Sequence, residues 1–102
     1  MGKSKWIARI GLQVGMHRMT REEKFQAFQA LHQRPEVFLI PNPWNAGSAR
    51  ILTALGFEAL ATTSAGYAFT AGLPDSPLAL TRDGVLANAK SIVDATDLPV
   101  SA

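Results

Sequence analysis

Apolar residues recur along the 102-residue chain in short groups whose period changes from one group to the next. Phe25, Phe28 and Leu31 stand at helical spacing. Thr20-Arg21-Glu22-Glu23 ahead of them is a capping box, and Pro35 behind them stops the helix. Val37-Phe38-Leu39-Ile40 is an unbroken apolar run of the kind that suits a strand buried on both faces. Pro41-Asn42-Pro43-Trp44 predicts a rigid loop, and Asn45 predicts the cap of a helix through Ile51, Leu52 and Leu55 that ends at Gly56. Ala59–Thr63 predicts a second strand. Ser64–Leu80 is rich in small and turn residues, with room for one short helix near Tyr67–Ala71. Thr81 predicts another cap. Val85, Leu86, Ala89, Ile92 and Val93 form the apolar stripe of the helix it starts. Leu98-Pro99-Val100 opens a third strand.

The order is therefore helix, then strands alternating with helices, which implies βαβ units and a parallel sheet. About 22 residues separate the starts of the first two strands, and about 40 separate the second from the third. The extra length follows strand two, at the end where α/β folds bind ligands. Thr62 to Asp75 is the functional candidate on this ground alone.

Composition narrows the classes. The chain is 47% hydrophobic and 18% charged, the balance of one globular domain. It has no cysteine, which excludes disulfides, thiolate metal sites and a cysteine nucleophile in these residues. No apolar run reaches the roughly 18 residues of a membrane span. Cytoplasm is the default expectation. The net charge of +2 is uneven: residues 1–24 sum to +4 and residues 25–102 to −2. A nucleic-acid groove spread across the fold is not expected from that distribution. Residues 1–18 contain no acid and read as a disordered basic extension, and residues 19–102 read as the ordered domain.

Thr62-Thr63-Ser64-Ala65-Gly66 places three hydroxyls and a glycine directly after a strand. Such a turn can offer N–H groups and hydroxyls to an anion, or it can simply close the strand. It lacks the lysine of a phosphate-binding P-loop. Asp75, in Gly72-Leu73-Pro74-Asp75-Ser76-Pro77, is either a turn aspartate or a carboxylate facing a hydrated divalent cation. Trp44 reads as core or rim packing and Arg50 as a solvated cation. His32 lies at a helix C-terminus, where the dipole favours it, and His17 lies in the extension. Neither histidine has a catalytic partner at a telling spacing.

Four blocks together resemble the isocitrate lyase / phosphoenolpyruvate mutase superfamily. They are Pro41-Asn42-Pro43-Trp44-Asn45-Ala46-Gly47-Ser48-Ala49-Arg50, the run from Gly56 to Ala68, Gly72-Leu73-Pro74-Asp75, and Ala95-Thr96-Asp97-Leu98-Pro99-Val100-Ser101-Ala102. The resemblance covers Met19 to Ala102. It implies the N-terminal portion of a (β/α)₈ TIM barrel of the phosphoenolpyruvate type, with about three of eight strands. It implies Mg²⁺-dependent lyase or mutase chemistry at C–C or P–C bonds of 2-oxo acid-like carboxylates, through an enolate-like intermediate. Thr62, Thr63, Ser64 and Ala65 would contact the small-molecule carboxylate, and Asp75 would contact a metal-bound water. The family is usually homo-oligomeric and has no nucleic-acid or membrane partner.

Two departures stand out. Asn45 occupies a position where the family usually has Asp. The sequence also stops at Ala102, ahead of the acidic motif that supplies the family's direct metal ligands and ahead of its cysteine-bearing loop. The expectation is a fragment of the enzyme. The alternatives are a catalytically inactive short protein that associates with full-length paralogues, and a small α/β binding module with a basic arm. A barrel needs roughly 250 residues, so three strands with an open edge predict poor stability or self-association.

Overall fold

A computed structural model describes residues 18–102. Helix α1 (Arg21–Gln33) begins at the expected capping box: Thr20 Oγ1 accepts from the Glu23 N–H at 3.1 Å, and Glu23 Oε1 accepts from the Thr20 N–H at 3.0 Å. Helix α2 (Ala46–Ala54) starts at Asn45, whose side chain accepts from the Ser48 N–H at 2.8 Å. It ends as expected at Gly56, which has φ +102°, a conformation open to glycine and strained for other residues. Strand β1 (Leu60–Ala61) leads into helix α3 (Ser64–Thr70). Helix α4 (Arg82–Asp94), capped by Thr81, carries the chain back to strand β2 (Val100–Ser101). The two strands are parallel, with Leu60 opposite Val100 and Ala61 opposite Ser101.

Two expectations need correction. The stretch Val37–Ile40 is not a strand doubly covered by packing: Val37 is 94% exposed and Leu39 is 72% exposed. The run does lie beside β1, because the Ala61 N–H donates to Pro41 O at 3.1 Å. In a parallel register the return bonds to β1 would come from the N–H groups of residues 41 and 43, two apart. Both are prolines and have none. The side-chain amide of Asn42 donates instead to Ala61 O at 3.3 Å. The ladder is therefore broken where the sequence predicts a full strand, and two strands form among the described residues.

The short helix begins earlier than expected, at Ser64 and not near Tyr67. Thr63 is its N-cap, accepting from the Gly66 N–H at 3.2 Å. A hydroxyl directly after a strand was sufficient to nucleate the turn. Arg18, the last residue of the expected extension, is the first described residue. Arg18 lies against the end of α4, with Nη2 donating to Asp94 O at 2.9 Å and Nε 3.3 Å from Asp97 Oδ1. Residues 1–17, the rest of that extension, lie outside the described residues.

The core sits between α2, α4 and the sheet. Ala49, Leu60 and Ile92 are fully buried, with Leu52, Ala95, Leu98 and Val100 packed around them. One polar link crosses it. The Thr53 and Thr96 hydroxyls, both buried, lie 2.7 Å apart, and Thr53 also donates to Ala49 O at 2.7 Å. This satisfies two hydroxyls that would otherwise destabilise the interior.

Candidate functional site

The C-terminal end of β1 fixes the site. The N–H groups of Leu60 and Thr62 donate to Pro99 O and Ser101 O at 2.9 and 2.8 Å, while that of Ala61 turns the other way to Pro41. The backbone of Thr62 is thus held on the sheet, and Thr63 leaves it to cap α3. Ser64 and Ala65 are the first two residues of α3, so their N–H groups have no acceptor within the helix and point out of its positive end.

Of the five residues singled out from the sequence, Ser64 and Asp75 come together. They line one open groove of about 320 Å³, together with Ser76, Pro77, Thr81 and Arg82. Thr62, Thr63 and Ala65 do not line it. Asp75 is exposed on the loop after α3. Among the described residues no group of three or more His, Cys, Asp or Glu side chains could hold a metal ion. A lone carboxylate does not fit an inner-sphere Mg²⁺ site, and fits at most a contact through metal-bound water. Asn45 is committed to its capping box, so its amide does the structural task that an aspartate would do there.

Packing behind the groove was only partly anticipated. Trp44, half exposed, meets Phe69 edge-on at 6.0 Å between ring centroids. Its indole covers Gly66 so closely that a Cβ there would stand 2.6 Å from Nε1. The Trp44 backbone is fixed at both ends: its N–H donates to Ser48 Oγ at 2.9 Å, and its carbonyl accepts from Asn88 at 3.2 Å. Gly84 on α4 plays the same part toward α3, since a Cβ there would stand 2.5 Å from the Tyr67 hydroxyl oxygen. Both glycines sit inside helical segments, and that placement is the sequence signal for close approach.

The β-strand ending in a capped helix beside an open groove lies within a parallel α/β unit that two solved structures share. The structure superposes on a protein assigned as a lyase/mutase from Burkholderia cenocepacia J2315 with a TM-score of 0.70 and 56% identity, over 76% of this chain and 27% of that one. It superposes on phosphoenolpyruvate phosphomutase from Streptomyces platensis subsp. rosaceus with a TM-score of 0.68 and 28% identity, over 74% of this chain and 26% of that one. Residues 28–102 match the family model of phosphoenolpyruvate phosphomutase. The chain belongs to that family. It is also 31% identical to 2-methylisocitrate lyase of Bacillus subtilis strain 168 over 81 residues, 79% of this chain and 27% of the relative. The chain therefore spans about a quarter of the length of these relatives. No helix among the described residues is long and apolar enough to cross a membrane.

Proposed function

We propose that this chain carries the substrate-loop portion of a lyase/mutase-type enzyme acting at C–C or P–C bonds beside a 2-oxo acid carboxylate. The observation that supports this reading is the shared groove of Ser64 and Asp75 at the C-terminal end of β1, in a chain of the phosphoenolpyruvate phosphomutase family. In this reading the substrate carboxylate sits at the α3 N-terminus, where the Ser64 and Ala65 N–H groups and the Ser64 hydroxyl donate to it. Thr62 and Thr63 hold the turn that aims those donors. Donors fixed before the reaction stabilise charge as it develops on an enolate-like oxygen, because they need not reorganise. Asp75 would hold a Mg²⁺ ion through a metal-bound water. When bound, that dication would supply further neutralisation of developing oxyanion charge. The same reading carries the family's usual homo-oligomeric assembly and a cytoplasmic location.

Calorimetric titration of the chain with oxaloacetate, a 2-oxo dicarboxylate, tests the reading. Binding is expected to tighten when Mg²⁺ is added, and Asp75→Asn should remove that gain while sparing the Mg²⁺-free affinity. Absence of oxaloacetate binding under both conditions would overturn it.

A further inference from the structure

At the opposite end of the sheet, α1 lies over a cleft of about 610 Å³ with an apolar floor that includes Phe28, Val93 and Pro99. Three cations line it: Arg18, Arg21 and Lys24. Lys24 is half-buried, and its Nζ donates to Val93 O at 3.2 Å and to Thr96 O at 2.8 Å. In the neutral amine those two carbonyls take both N–H bonds and the lone pair is left free; in the ammonium a third N–H takes its place. Burial holds the Lys24 ammonium below the ordinary lysine range, and Arg18 adds to that effect, against the opposing pull of Asp97 and Asp94. The free amine, the nucleophilic form, is correspondingly enriched.

The neighbouring charges favour an anion. Arg21 is exposed and makes no ion pair with another described residue. Arg18 engages Asp97 through Nε and Asp94 O through Nη2. The carboxylates present are already partnered: Asp94 takes Lys90 at 2.5 Å, and Asp97 takes the Met19 N–H at 3.1 Å as well as Arg18.

We propose that Lys24 is an acylation site for small acyl phosphates, with Arg21 holding the phosphate while the amine attacks. The Lys24 nitrogen bonds to the acyl carbon. The bond from that carbon to the phosphate oxygen breaks, phosphate leaves with the electron pair, and one amine proton passes to solvent. The product amide keeps a single N–H, so one of the two carbonyls at the end of α4 loses its donor and α1 loses half of this tether.

The chain contains four lysines, and Lys90, exposed and paired with Asp94, serves as the comparison within the same molecule. The test is incubation of the full chain with acetyl phosphate, followed by peptide mass spectrometry over time. Lys24 is expected to acquire acetyl several-fold faster than Lys90. Arg21→Gln should slow that reaction at Lys24 several-fold, yet leave unchanged its rate with p-nitrophenyl acetate, an uncharged donor. Acetylation of Lys24 no faster than that of Lys90 would overturn the proposal. So would an Arg21→Gln variant that alters both reagents alike, or neither.

Discussion

Gly66 is the residue where sequence and packing meet most tightly. It lies in α3 under the Trp44 indole, and the Trp44 backbone is held by bonds to Ser48 and Asn88. Gly66→Ala is therefore expected to destabilise the fold by about 1–3 kcal/mol, although alanine is the better helix former. A chemical denaturation midpoint equal to or above that of the wild type would contradict this. Lys24 makes a second prediction at the same scale. Its folded-state pKa is lowered, chiefly by burial, so carrying the charge costs stability at pH values below that folded value. The cost fades as pH rises through the folded value toward the ordinary 10.5, because there the unfolded chain binds more protons than the folded one. The stability of wild type relative to Lys24→Met should therefore improve across that range. Urea midpoints measured at a series of pH values would show it, and a flat or falling difference would refute it.

At the scale of elements, the helix starts were the most legible part of the sequence. Thr20, Asn45 and Thr81 each cap as their residue types predict, because a short oxygen-bearing side chain before an apolar period satisfies N–H groups that the helix cannot. Asn45→Ala should cost about 1 kcal/mol through loss of the box with Ser48. Asn45→Asp should keep it, as thermal melts of the two variants would report. Strands were less legible. Apolar content alone marks Val37–Ile40 as a strand, yet the hydrogen-bond ladder depends on donors, and Pro41 and Pro43 remove the two donors that the register needs. That information was in the sequence, but its meaning depended on knowing which residues face β1. The site was half legible for a similar reason. The loop after strand two was located from spacing, and Ser64 and Asp75 do share a groove, whereas Thr63 turned out to be occupied in capping α3. Arg82, which also lines that groove, has no motif to announce it.

The whole molecule is a parallel unit with much apolar surface uncovered. Val37, Leu39 and Leu78 are each more than two-thirds exposed, and Ile51 and Leu55 on α2 are also exposed. Surfaces of this kind drive association. The isolated chain should therefore sediment with a concentration-dependent coefficient, and Val37→Lys with Leu39→Lys should reduce that dependence. A monomer at all concentrations with a cooperative melt would contradict the expectation.

The central claim is that the β1–α3 junction receives a 2-oxo acid carboxylate, and an amide-resolved NMR titration of the full chain with oxaloacetate and Mg²⁺ tests it most directly. The Ser64 and Ala65 amides are expected to shift first and furthest, with Asp75 following, while α1 stays unchanged. Saturable shifts confined to other segments, or no shifts at these amides, would contradict it.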